Sequence, residues 1–366
     1  MTTIAYTSVA EDGRTFDSQL ILSPQHAPAD LPEIARAVHK HSALLCFQLT
    51  HAGGFASREL LHGEAQLAPS SAWDVTTPWR RTRAITLEEM DRIKADFVAA
   101  AETAVGFGEA DAVEVHLGHG YLLSQWLCPW LNWRTDGHGG SAAARLRWPL
   151  EIVRAVRTAI GPNKGLIIKL NVDDGFWGGV TPEDVAVTVA GLCAEPGLVD
   201  AIVPSAGFVS RNGFFMLRGT VPRPGMARAL ARSSVIKSYA FTLFGPWLVP
   251  ELPFEPRFLL EGARLVLAAA APAGVTVIAI GGYSELGHVE AALAEGFAGV
   301  QMARALIREP DLVARWLASV KTGQEAEPSR CIHCNTCVLA ALTPDVPARC
   351  PERPPVDVED LVPYPN

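Results

Sequence analysis

The stretch Asp111-Ala112-Val113-Glu114-Val115-His116-Leu117-Gly118-His119-Gly120-Tyr121-Leu122-Leu123-Ser124-Gln125 decides the architecture. It opens as a β-rich run, Ala112–His116, and breaks at Gly118 and Gly120 into a turn that carries His116, His119 and Tyr121. A helix-patterned segment, Leu87–Val105, precedes it, and another, Ala142–Ile160, follows. Strands separated by helices cannot pair as hairpins; they pair in parallel through crossovers.

Outward from this unit the alternation repeats. Further strands are expected at Thr3–Val9, Ala43–Leu49, Leu166–Leu170, Ala201–Pro204, Val275–Ile280 and Gly299–Met302, and further helices at Pro182–Cys193 and Leu286–Glu295. Leu166-Ile167-Ile168 is continuously apolar, as expected of a strand covered on both faces. Thr181-Pro182-Glu183 reads as a helix start, with Thr as cap, Pro in the first turn and an acid beside the positive helix end. The fold class expected is α/β: a (β/α)8 TIM barrel lacking its first β-strand and helix, since a closed barrel has eight strands and the chain opens almost directly on one. A misassigned start or a divergent form would each account for the missing pair. Residues 1–320 are expected to form the barrel, 208–258 an excursion over its mouth, and 321–366 a Cys- and Pro-rich tail.

Composition narrows the function. The net charge of −8 argues against a nucleic-acid binder, and 49 % apolar residues over 366 positions suffice for a large core. The longest apolar run, Leu265–Ile280, is broken by Pro272 and Gly274, so no membrane span is expected. Met1–Thr7 lacks the features of a secretory signal, which points to the cytoplasm. A small-molecule substrate is expected, and a homo-oligomer is left open.

Polar or glycine residues recur where the expected strands end: Gln48, His116, Lys169, Ser205, Gly281-Gly282 and Arg304. Active sites of (β/α) barrels lie at that end. Gly281, Gly282 and Arg304 suggest a phosphate site, built from close backbone approach and a guanidinium. His116 and His119 can aim at one oxygen, with the Tyr121 hydroxyl near enough to deliver a proton. The same pair could ligate zinc, and two core histidines are the plain alternative.

The Asp111–Gln125 run, continued by Pro129, Asn132, Arg134, Asp136, Gly139-Gly140-Ser141, Arg145, Arg147 and Glu151, resembles the substrate-binding signature of the old yellow enzyme family. Gln48-Leu49-Thr50-His51-Ala52-Gly53 and Ala303-Arg304-Ala305-Leu306-Ile307 resemble the family too. The resemblance implies FMN across the barrel mouth, with Gln48 on the pyrimidine edge of the flavin and Lys169 by its N1–C2=O region, and it alone adds Ala303 to the phosphate site. It implies NAD(P)H as reductant, His116 and His119 on the carbonyl of an α,β-unsaturated substrate, and Tyr121 as proton donor. Asn132, Arg134, Asp136, Arg145 and Arg147 then form a loop that positions the histidines. Departures from the family pattern are Lys169 for arginine, Ala144 for asparagine, His138 for tyrosine, Ala303 for glycine and Gly54 for arginine.

Of seven cysteines, Cys46, Cys128 and Cys193 read as buried free thiols. Cys331, Cys334, Cys337 and Cys350 have the spacing of a four-thiolate centre, a [4Fe–4S] cluster or zinc. Relatives of the dienoyl-CoA reductase and amine dehydrogenase type carry such a cluster. That leaves three alternatives to an ene-reductase: a flavoprotein of that type, a metal-dependent barrel enzyme using His116 and His119, and a flavin-free barrel with a non-catalytic role.

Overall fold

A computed structural model describes residues 1–73, 81–342 and 349–352; the rest of the expected 321–366 tail lies outside the described residues. Seven parallel strands pair in chain order: β1 Thr2–Ser8, β2 Leu45–Thr50, β3 Ala112–Leu117, β4 Gly165–Asp173, β5 Ala201–Ala206, β6 Thr276–Ile280 and β7 Gly299–Gln301. Each expected strand is present, with ends shifted by a few residues. A singly wound parallel sheet twists and curls toward a barrel, and here it forms a seven-stranded half-barrel of TIM type.

Period-two alternation gives the sheet two different faces. Leu45, Phe47, Leu49, Val113, Val115, Leu166, Ile168 and Ile202 point outward into the main core beneath the helices. Cys46, Ala112, Ile167, Ala201 and Val203 point inward and form a separate apolar floor. Helices Leu87–Val105, Ala142–Ile160 and Pro182–Cys193 have the expected bounds, and the fourth runs Leu286–Ala294. Their starts follow from capping chemistry. Thr86 with Glu89, and Thr181 with Asp184, form reciprocal capping boxes, and the Ser141 hydroxyl accepts from the Ala144 N–H. Cys46 and Cys128 are buried and Cys193 is half-buried; all three are free thiols.

The loop between β3 and the helix Ala142–Ile160 is held by buried polar contacts. Asn132 donates to the carbonyls of Trp126 and His138, both at 2.8 Å. Arg134 pairs with Asp136 and donates to the carbonyls of Pro69 at 3.1 Å and Ile85 at 2.6 Å. Arg145, 4 % exposed, donates to the Leu127 carbonyl at 2.7 Å and pairs with Asp184 at 2.6 Å. The 208–258 excursion holds two helices packed on each other, Arg223–Ser233 and Val235–Leu248.

Removing one partner of a buried ionic network leaves the others desolvated and unpaired. Arg145→Met should therefore lower stability by about 3 kcal/mol or more, read as a shift of the urea midpoint with an unchanged slope. A surface change such as Lys321→Met should leave the midpoint nearly unmoved.

Candidate active site

The polar site is built on the inner face of the sheet. Above the apolar floor, Gln48 on β2 stands in register with Glu114 on β3, and its amide donates to the Glu114 carboxylate. The Lys169 Nζ on β4 lies 3.0 Å from the same carboxylate and donates to Gln301 Oε1 on β7 at 2.9 Å. Gln48, Glu114 and Lys169 are 4 %, 1 % and 5 % exposed. A lone ammonium or carboxylate at that depth would be heavily penalised, so each charge is tolerated only through the other and the two amides. Glu114 and Gln301 escape a sequence reading. The available signal is a charge at an inward position of an otherwise apolar strand.

At the end of β3 the chain turns through His119 at φ +60° and Gly120 at φ +78°. A side chain at Gly120 would strike the Phe208 ring, with Cδ1 only 2.3 Å from an added Cβ, so glycine is required on both steric and backbone grounds. The Asn171 carboxamide oxygen accepts from the His119 N–H at 2.9 Å, and the Ser124 hydroxyl accepts from the Gly120 N–H at 3.1 Å. Gln125 donates to the carbonyls of Gly120 at 2.7 Å and Ala52 at 3.1 Å.

The two imidazoles do not lie side by side as a clamp. His116 Nε2 is 3.1 Å from His119 Nδ1, and His119 Nε2 is 2.7 Å from the Ser205 hydroxyl on β5. The three groups form a chain. At its end His116 Nδ1 is buried and, among the described residues, without a hydrogen-bond partner. Burial pushes the His116 pKa well below its ordinary value, and the neighbouring His119 and Lys169 act in the same direction. Burial, with Lys169, lowers His119 to about 3. Tyr121 packs 5.1 Å from the His116 ring and 4.8 Å from Tyr6 of β1. Burial and then Tyr6 push its phenol well above the usual range, so it is held protonated.

The expected phosphate residues are also placed at the carboxyl ends of the strands, but they are engaged. Gly281 and Gly282 adopt φ +100° and +83°, and an added Cβ at Gly282 would lie 2.8 Å from the Glu255 carbonyl oxygen. Ala303 caps the short helix Arg304–Arg308, its carbonyl accepting from the Ile307 N–H at 3.0 Å. Arg304 donates to the carbonyls of Leu217 and Arg218 and to Asn335 Oδ1 at 2.5 Å. Its guanidinium thus ties the excursion to the tail.

Cys331, Cys334, Cys337 and Cys350, the expected four-thiolate set, lie near enough to one another to interact electrostatically, with Arg304 and Arg308 beside them. Among the described residues no group of three or more His, Cys, Asp or Glu is placed to hold a metal ion. The segment is shaped by other contacts. Asn335, at φ +57° and 1 % exposed, donates to the carbonyls of Arg218 and Thr220, and His333 stacks on Phe254 at 3.4 Å. Burial raises the thiol pKa values of Cys331 and Cys337, while Arg304 pulls them back.

Residues 1–201 match the NADH:flavin oxidoreductase / NADH oxidase family. The chain belongs to that family. A 4,4'-dithiodibutanoate disulfide reductase of Rhodococcus erythropolis is 35 % identical over 343 residues, covering 94 % of this chain and 81 % of that protein. An NADH oxidase of Thermoanaerobacter brockii is 29 % identical over 346 residues, 93 % of this chain but 46 % of that protein, so the chain spans about half of that relative's length. The solved old yellow enzyme homologue from Zymomonas mobilis superimposes with a TM-score of 0.64 at 19 % identity, over 87 % of this chain and 79 % of that one, a likeness of fold.

This family member is a flavin oxidoreductase, with FMN as its cofactor and NAD(P)H as reductant. Among the described residues no helix is long and apolar enough to cross a membrane. The polar residues expected to meet a flavin are brought together on the inner face: the Gln48 amide and the Lys169 ammonium share the Glu114 carboxylate, and His116 Nδ1 is buried and, among the described residues, without a partner.

Both imidazoles are neutral in the folded protein, whereas in the unfolded chain they titrate near the ordinary value of 6.5. Below that value the unfolded chain binds more protons, so stability falls as pH drops from about 6.5 toward about 3. His119→Gln removes one such group. Urea midpoints of the variant should fall less steeply between neutral and mildly acid pH than those of the native chain. Identical slopes would mean that His119 titrates alike in the folded and unfolded chain.

Proposed function

We propose that this protein transfers hydride from NAD(P)H, by way of FMN, to the β-carbon of an alkene conjugated to a carbonyl or similar electron-withdrawing group. The observation that carries this reading is the buried chain Ser205–His119–His116, with His116 Nδ1 unpartnered beside the protonated Tyr121 phenol. FMN, when bound, accepts hydride from the nicotinamide and passes it to carbon. Gln48 and Lys169 would hold the polar edge of the flavin, and Gly281, Gly282, Ala303 and Arg304 its phosphate end.

A neutral imidazole has one N–H, so the direction of the chain matters. With the Ser205 hydroxyl donating to His119 Nε2, and His119 Nδ1–H donating to His116 Nε2, the proton of His116 sits on Nδ1. That N–H would meet the substrate carbonyl oxygen, where negative charge develops as hydride arrives at the β-carbon. His119 then acts through His116 as a positioning residue, a departure from the two-imidazole contact that the family resemblance implies. Tyr121 would deliver the proton to the α-carbon.

A second reading keeps the same site and changes the acceptor. The Rhodococcus relative reduces a disulfide by its name, and it is similar along 94 % of this chain. Here the hydride and one proton convert R–S–S–R to two thiols.

Stopped-flow measurement of the FMN-loaded chain separates the steps. Tyr121→Phe should leave reduction by NAD(P)H nearly intact and slow reoxidation by 2-cyclohexenone by about a hundredfold to ten-thousandfold. Equal damage to both half-reactions would remove the assignment. Rapid reoxidation by a dialkyl disulfide, with none by the enone, would move the reading to the second acceptor. Ser205→Ala should weaken binding of p-hydroxybenzaldehyde by roughly threefold to tenfold, the loss of one hydrogen bond in the chain. An unchanged Kd would disconnect Ser205 from the oxygen site.

A further inference from the structure

Between Asp200 and Glu251 the sequence holds Arg211, Arg218, Arg223, Arg228, Arg232 and Lys237 and no carboxylate, although the whole chain carries a net charge of −8. Most of this cationic stretch is the helical hairpin Arg223–Ser233 and Val235–Leu248. The second helix faces outward with its apolar side. Ile236, Tyr239, Leu243 and Trp247 recur at the spacing of one helical stripe and are 82 %, 71 %, 71 % and 89 % exposed. Val235, Phe244 and Leu248 widen that stripe. The inward side is narrow and mixed: Gly245 is buried with the half-buried Phe241 ring beside it, and the Ser238 hydroxyl donates to the Ala227 carbonyl at 2.8 Å. The helix therefore shows solvent the residues that a soluble helix buries, in a patch that marks a binding surface.

We propose that this hairpin docks on an anionic lipid bilayer, with Ile236, Tyr239, Leu243 and Trp247 entering the boundary between headgroups and acyl chains and Arg228, Arg232 and Lys237 meeting the headgroup charge. The chemistry of the patch selects this occupant. Arg228, Arg232 and Lys237 are exposed, and among the described residues none of them forms an ion pair. Trp and Tyr favour the bilayer interface, and long cationic side chains lay their stems along apolar surface while keeping the charge in the headgroup layer. A basic, aromatic and aliphatic helix too short to span lies in the plane of the membrane. Self-pairing through a two-fold axis would instead set two copies of this carboxylate-free cationic stretch against each other. The root of the hairpin is fixed to the catalytic end of the sheet, because Arg304 binds the carbonyls of Leu217 and Arg218 and Phe208 packs on Gly120. Apolar substrates dissolved in the bilayer would then reach the barrel mouth without crossing water.

The test is co-sedimentation of the FMN-loaded full chain with vesicles of phosphatidylcholine, alone or with one third phosphatidylglycerol. Binding is expected to the mixed vesicles only, reversed by molar salt, and weaker by roughly fivefold for each of Arg228→Gln, Arg232→Gln and Lys237→Gln. Ile236→Ser with Trp247→Ser should abolish it while the bound-flavin spectrum stays native. If that double variant fails to fold, the three charge variants carry the test. Absence of binding to the mixed vesicles at low salt would overturn the proposal, as would equal binding to both vesicle types. So would a dimer in sedimentation equilibrium that Trp247→Ser dissociates without any vesicle binding, since a second copy would then cover the face.

Discussion

The ion pair between Lys169 and Glu114 is the constraint on which the inner face depends. Neither charge can be buried alone, and their mutual attraction at 3.0 Å offsets desolvation only because Gln48 and Gln301 satisfy the remaining hydrogen bonds. The four residues come from β2, β3, β4 and β7. β4 and β7 are not neighbours in the sheet, since β5 and β6 lie between them. The Lys169–Gln301 contact therefore exists only in a curled sheet. The same polar layer separates an apolar floor below from the reactive turn above.

That turn shows how local backbone chemistry sets reactivity. His119 and Gly120 both take the left-handed conformation, and the space beside Gly120 is filled by Phe208 from the start of the excursion. The reversal folds His119 back over β3, so that its ring reaches Ser205 on β5 rather than open space. Burial then keeps both imidazoles neutral and Tyr121 protonated. A pair that sequence spacing presents as two equivalent donors becomes a directed chain with one free end.

The excursion and the tail are coupled through single polar residues. Arg304 and Asn335 share the carbonyl of Arg218 and bond to each other, which links the end of the barrel, the root of the hairpin and the cysteine segment. A residue whose place in the chain suggested a free phosphate ligand is also a structural tie. The cysteine segment follows these contacts, with Asn335 buried in the middle of the Cys331–Cys337 run.

The sequence by itself determined the seven strands, the helices between them and the end of the sheet that holds the site. Those features depend on short-range rules: apolar runs for doubly covered strands, capping residues for helix starts, glycines for left-handed turns. It also determined Gln48, His116, His119, Tyr121, Lys169 and Arg304 as the polar residues at strand ends. Only the tertiary structure decided what each of them touches. Glu114 meets Lys169, and Gln301 meets Lys169 across 132 positions of chain, because curling brings distant inward positions together. No local pattern encodes that meeting. The outward apolar face of Val235–Leu248 is likewise invisible in its sequence, where an apolar helix reads as buried. Exposure depends on what the rest of the chain leaves uncovered.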